Sequence, residues 1–447
     1  MRTMEPYASR RRKLLVELAE QRAVAVLRAA PAYLRNNDTE HDYRQDSSLY
    51  YLTGLDEPDS TLVLSGVHPS ARSVLFVRPR NPEREIWDGA RVGVDEAPKR
   101  FGVDVAYSSD DLRARLPDYL QNASRLVTRL GQHAAHDQVI FRAIDEVRGR
   151  SRKDGCTWPT EIVDPAVLTE ERRLIKEAEE VEAIREAVRV TAEGLARAMR
   201  DCRPGMREYE LEARLGYAYR SRGAERHAFQ PIVGSGPNAT TLHYVSNDRV
   251  IQDGDLVLVD TGAELHYYAA DITRTFPAGG TFSPAQRRIY EIVLGAQLAA
   301  IAHTRPGVTL GDVHAKTVEV LVDGLIDCGL LSGDRAEILE KEAFKRFYPH
   351  RTSHWLGMDV HDVGRYHLRP GEQRPLEPGM VITIEPGLYI PTTGDLPREE
   401  YRGIGVRIED DVLVTREGCQ VLSADVPKSV EQIEAACSRA GAKPAAP

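Results

Sequence analysis

The chain has 447 residues, 42% of them apolar and 28% charged, with a formal net charge of -9. Such a length predicts two or three domains of ordinary globular composition, and the negative charge argues against a general nucleic-acid partner. No apolar run approaches the roughly 20 residues of a membrane span. The start, with Arg10-Arg11-Arg12-Lys13, lacks the apolar stretch of a secretory signal, so neither a membrane partner nor export is expected and the location reads as cytoplasmic. Five scattered cysteines (Cys156, Cys202, Cys328, Cys419 and Cys437) form no Cys-x-x-Cys pair. They read as reduced thiols, which leaves any metal site to carboxylates and imidazoles.

In chain order, Thr61–Ser65 and Ser73–Val77 read as strands, and 110–116 as a short helix stopped by Pro117. From 170 to about 199, Ile175, Ala178, Val181, Ile184, Val188, Leu195 and Met199 form one apolar stripe. That stripe predicts a single long amphipathic helix whose N-terminal end is favoured by Glu170 and Glu171. The pattern changes near 170, so the expected domains are 1–170 and 171–447. The second carries a weak repeat. Arg203-Pro204-Gly205 and Arg305-Pro306-Gly307 each end one helical pattern and precede another, with Ser283 and Pro284 as N-cap and first residue of the helix before the latter. Two related α/β halves around one cleft are expected. The tail after Val430 reads as a short helix followed by a frayed end over 441–447.

Four acids sit on strand-like segments. Leu256-Val257-Leu258-Val259 delivers Asp260 into a turn, and Asp271 opens another strand, close enough for a hairpin to join the two. Val381-Ile382-Thr383-Ile384 ends in Glu385, and Glu409 reads as lying inside a strand, where Glu is normally depleted. Singly, each aspartate is as readily a turn residue. Together they would repel one another unless cations intervened, and two divalent ions would balance four carboxylates. His350, His354 and His361 crowd into a glycine-containing segment that can supply an imidazole. Oxygen donors with one imidazole suit manganese, with cobalt, iron or zinc as alternatives.

These segments, 256–276, 350–364, 381–389 and 403–415, resemble aminopeptidase P, of the creatinase, prolidase and methionine aminopeptidase superfamily with the pita-bread fold. The resemblance extends to Asn37-Asp38-Thr39-Glu40, Tyr43-Arg44-Gln45 and Glu85-Ile86-Trp87-Asp88-Gly89. It implies an α/β (α+β) protein with an N-terminal creatinase/prolidase-like domain and a C-terminal pita-bread domain. It also implies two metal ions, with Asp271 and Glu409 bridging, Asp260 completing one site, and His354 with Glu385 completing the other. Glu385 would accept the proton of the attacking water, His243 would stabilise the oxyanion, and His361 would hold the substrate. A proline pocket of His350, Tyr389 and Arg407 is implied, with Trp87 supplied by a neighbouring subunit of a dimer or tetramer and Asp38 reaching the free amine. The implied substrates are peptides with proline second. A prolidase restricted to Xaa-Pro dipeptides and a non-catalytic peptide-binding module are the rival readings.

Overall fold

A computed structural model describes residues 4–438, and the chain divides into two compact units between Glu171 and Arg172. The tail 441–447 lies outside the described residues. In the first unit, six strands form one mixed sheet: β1 (Ala23–Arg28), β2 (Thr61–Ser65), β3 (Ser73–Val77), β4 (Val105–Ser108), β5 (Arg125–Val127) and β6 (Glu161–Val163), in the order β4-β3-β2-β1-β5-β6. The central strands β2 and β3 are buried along their whole length, with Leu62, Val63 and Leu64 and Val74, Leu75 and Phe76 at their centres. Pro117 does not stop its helix, which runs over Leu112–Leu120. Burial of Leu116, Pro117, Tyr119 and Leu120 offsets the hydrogen bond that proline removes.

The second unit opens with a correction to the expected long helix. Its pattern is split into Ala166–Leu174 and α1 (Ala178–Asp201). Lys176 lies in the break, its N–H donating to the Gly379 carbonyl at 2.9 Å and its Nζ bound to Asp362 at 3.0 Å. Glu177 then caps α1 in a capping box with Glu180. Glu170 and Glu171 therefore fall inside the first helix, and Glu179 and Glu180 occupy the first turn of the second.

The repeat is visible in the backbone. Gly205 and Gly307 adopt φ of 90° and 88°, and their N–H groups donate to Ile251 and Leu376 carbonyls, both at 2.9 Å. Isolated bridges, Arg207 to Val250 and Thr309 to Pro375, follow each turn. Each turn leads into a helix, α2 (Glu208–Ser221) or α4 (Leu310–Asp327), the latter after α3 (Pro284–His303). Each returning chain then enters a buried strand: β7 (Ile232–Ser235) and β9 (Ile272–Pro277) flank β8 (Leu256–Thr261), and β10 (Val381–Ile384) pairs with β13 (Asp410–Val414). Asp260, near the end of β8, and Glu385, just past β10, stand at corresponding positions in the two halves. Between them, β11 (Gly387–Tyr389) pairs with β12 (Gly405–Arg407). Glu409 is not inside a strand; it lies in the step between β12 and β13, its N–H donating to the Thr273 carbonyl at 3.1 Å.

That step is locked by a buried ion pair. Arg274 binds Asp410 at 2.7 Å and also donates to the Glu409 and Val426 carbonyls. Lys428 and Gln297 reach the other Asp410 oxygen, both at 2.6 Å. Burial alone would push the Asp410 carboxyl up, but Arg274 and Lys428 outweigh it and hold it at about 2. Asp410→Ala strands the Arg274 charge and is expected to cost about 3–5 kcal/mol of stability, read by urea denaturation. Because the folded pKa is depressed, this stabilisation is present above the unfolded value of about 4 and lost only as pH falls toward 2.

Candidate metal centre

The first two acids are placed by a hairpin. β8 and β9 pair antiparallel with Asp260 opposite Thr273, and Asp271 immediately precedes β9. Gly262 permits the tight return, since a Cβ there would lie 1.7 Å from the Ala270 carbonyl oxygen. The Asp271 N–H donates to an Asp411 carboxylate oxygen at 3.1 Å, and the Thr273 hydroxyl donates to Glu409 at 2.6 Å. From the other half, the Glu385 N–H donates to the Thr352 carbonyl at 2.8 Å and Thr383 N–H to the His354 carbonyl at 3.1 Å. These bonds align the histidine segment beside β10.

His354 faces the acids in one tautomer. Its Nδ1 donates to the Trp355 carbonyl at 3.0 Å, so Nε2 is the lone-pair nitrogen. Nε2 lies 3.4 Å from Asp271 and 3.5 Å from Glu385. Burial lowers the His354 pKa to about 4, so the ring is neutral and fit to ligate at pH 7. Ligand atoms of Asp271, His354 and Glu409 all lie within 4.8 Å of one another. Burial first, and the neighbouring carboxylates second, push Asp271 and Glu409 well above the usual carboxylate range, and burial raises Glu385 to about 8. Asp260 Oδ1 and Asp271 Oδ1 are buried without a hydrogen-bond partner. Crowded acids, orphaned oxygens and a neutral imidazole are the chemistry of a cation site.

A cavity of about 840 Å³ opens onto this cluster. His243 and His361 line it, and His361 packs edge-on against His354 with ring centroids 4.4 Å apart. The loop carrying His361 is anchored by Asp362, which binds Arg173 at 2.6 Å and Lys176 at 3.0 Å. His350 and Arg407 also line the cavity. Tyr389 does not: it is 5% exposed and stands behind His350, its hydroxyl 2.8 Å from His350 Nε2. The same hydroxyl accepts from Arg407 at 3.0 Å, while Arg407 reaches Asp260 Oδ2 at 2.6 Å. Tyr389 thus orients the histidine rather than forming the wall. Burial, and then the Arg407 charge, hold His350 at about 3. In the first unit, Trp87 sits on the helix Pro82–Asp88 and is 84% exposed, and Asp38 is exposed in the turn between Leu34–Asn36 and Thr39–Glu40. Thr273, Asp411 and Arg173 were not found from the sequence. Only the Glu409-Asp410-Asp411 run hinted at Asp411, and nothing marked the others.

Residues 182–416 match the profile of metallopeptidase family M24, and residues 7–128 match that of the aminopeptidase P N-terminal domain. The chain is 43% identical over 427 residues to the Xaa-Pro aminopeptidase of Escherichia coli K12, covering 95% of this chain and 96% of that protein. The structure of Pseudomonas aeruginosa aminopeptidase PepP superposes with a TM-score of 0.94 at 47% identity, covering 98% of both chains. A zinc-substituted E. coli aminopeptidase P in complex with product superposes at 0.93 with 41% identity, again over 98% of both chains.

Proposed function

The chain belongs to metallopeptidase family M24, in its aminopeptidase P branch with the pita-bread fold, and from that membership we propose that it is a two-metal enzyme removing the first residue of peptides whose second residue is proline. The observation that carries the two-metal reading is the buried cluster of mutually repelling acids around a neutral His354, with two carboxylate oxygens left unpartnered. Asp260, Asp271, His354, Glu385 and Glu409 would hold the two ions, Asp271 and Glu409 as the shared ligands, Asp260 serving one ion and His354 with Glu385 the other. Four carboxylates then match two divalent ions in charge, with manganese the preferred metal. When bound, such a pair supplies an acidified water and a Lewis-acid contact for the scissile carbonyl.

The residues of the chain do the rest. Glu385, ionised once cations are bound beside it, accepts a proton at its carboxylate and returns it to the leaving proline nitrogen. His243 donates toward the developing oxyanion, and His361 holds the substrate on the same cavity. An Xaa-Pro amide has no N–H to recognise, so the ring must be read by packing. His350, held in orientation by the Tyr389 hydroxyl, and the Arg407 stem form the proposed surface for it. We place the enzyme in the cytoplasm, a reading supported by five free cysteines. A homo-oligomer, dimer or tetramer, is supported by the exposed Ile86 and Trp87.

Manganese-loaded enzyme is expected to cleave Xaa-Pro-Yaa tripeptides and longer peptides at the Xaa-Pro bond. Matched Xaa-Pro and Xaa-Pro-Yaa substrates, resolved by liquid chromatography, check this. Cleavage confined to dipeptides would assign a prolidase instead.

A further inference from the structure

The two ends of the cavity differ in chemistry. Its four carboxylates, Asp260, Asp271, Glu385 and Glu409, all belong to the ion-binding end. Past His350 the wall is built from the start of α4 and the residues after His350, and no acid lines it. Arg351, His314 and Gln373, each able to donate, are among the groups that do.

Arg351 is exposed, and no described residue hydrogen-bonds or ion-pairs with its guanidinium. Glu342 lies close enough for the Arg351 charge to lower its carboxyl, but that carboxylate is already bound by Lys345. The backbone at Arg351 is fixed, because His350 Nδ1 donates to its carbonyl at 2.7 Å.

The proton on His314 can be placed. Its Nδ1 is 2.9 Å from the Thr352 hydroxyl, which is 2.8 Å from the hydroxyl of the buried Tyr348. The Tyr348 proton has no other acceptor among the described residues, so it goes to Thr352. Thr352 then donates to His314 Nδ1, and the imidazole carries its proton on Nε2. Burial, and then the Arg351 charge, hold this ring at about 4, so it stays neutral at pH 7. Gln373 Oε1 accepts the Gly311 N–H at 2.9 Å, which leaves the amide NH₂ as a donor. Gly311 is needed for that approach, since a Cβ would lie 2.3 Å from the same oxygen.

We propose that this wall is a carboxylate subsite for the residue that follows proline. The inference rests on the proline reading of the site: with the scissile bond at the acids and the ring at His350, the departing chain runs past Arg351. A tripeptide would present its terminal carboxylate there, and a longer peptide an acidic side chain. A cation with two neutral donors around it suits either source.

Four peptides separate the sources: Ala-Pro-Ala, its amide, Ala-Pro-Glu-amide and Ala-Pro-Gln-amide, each with the full-length manganese-loaded enzyme. The carboxylate member of one or both pairs is expected to have about tenfold higher kcat/KM, chiefly through KM. The pair that shows it identifies the source. In Arg351→Gln the ratio within that pair falls to within about twofold, and Arg351→Lys, which keeps the charge but not the fork, retains part of it. Calorimetric titration with Pro-Ala and Pro-Ala-amide, which requires no turnover, is expected to show the same preference. Equal efficiency within both pairs, or a preference that survives Arg351→Gln, would overturn the subsite while leaving the proline reading standing. Failure to cleave any of the four would defeat the proline reading and the subsite together.

Discussion

Asp260→Asn is expected to lower kcat/KM by about a thousandfold or more while the protein stays folded. Removing a partner that merely orients a metal ligand costs about 10–100-fold, and Asp260 is proposed as a ligand itself. One of its oxygens is held by Arg407 at 2.6 Å and the other has no partner, so the orphaned atom is the one available to an ion. Asparagine keeps the volume and can still accept from Arg407. It also removes one negative charge from a cluster that raises Asp271 and Glu409, so the metal-free fold loses repulsion along with the ion pair. Steady-state kinetics with a melting curve of the same preparation checks both halves. Undiminished turnover would remove Asp260 from the ligand set.

Chelation is expected to abolish activity and to make stability depend on pH. In the metal-free protein Asp271, Glu385 and Glu409 have raised folded-state pKa values. The unfolded chain ionises these groups at about 4, so their contribution to stability is fully present below that pH. It is lost as pH rises through the folded values, including about 8 for Glu385. The melting temperature of the chelated protein should therefore fall between about pH 5 and pH 8, and manganese should restore both stability and activity. Metal binding at pH 7 should also release protons, seen as a buffer-dependent heat in titration calorimetry. A chelated protein equally stable at pH 5 and pH 8 would contradict the crowding of these acids.

Much of the site was legible because its parts are locally encoded. Asp260 and Asp271 end and begin adjacent strands joined by a short return, so their meeting follows from turn chemistry and pairing. Glu385 closes a buried strand just before Pro386-Gly387, and the three histidines lie within one short segment. Other features are set by distant partners and left no local mark. The break between Ala166–Leu174 and α1 depends on Lys176 finding Asp362, 186 residues away. The apolar stripe continues through that break, so periodicity alone reads one helix. Glu409 reads as a strand residue because it lies between Val406-Arg407-Ile408 and Val412-Leu413-Val414, whereas Arg274 and Thr273 hold it in the step between two strands. Tyr389 was expected at the pocket wall, yet its hydroxyl is taken by His350 and Arg407.

By itself the sequence pointed to acids on strand ends, with one histidine segment, as a cation site, because four like charges on buried segments repel one another unless cations or protons intervene. It also determined the two-half pattern, since each Pro-Gly turn carries its own helix-stop and left-handed glycine. Only the tertiary structure decided which oxygens lack partners, which nitrogen of His354 faces the acids, and that no acid lines the far wall of the cavity. Those properties depend on which groups, remote in the chain, exclude water from one another. Hydrogen-bond satisfaction and burial are properties of that packing, and no local run of residues encodes them.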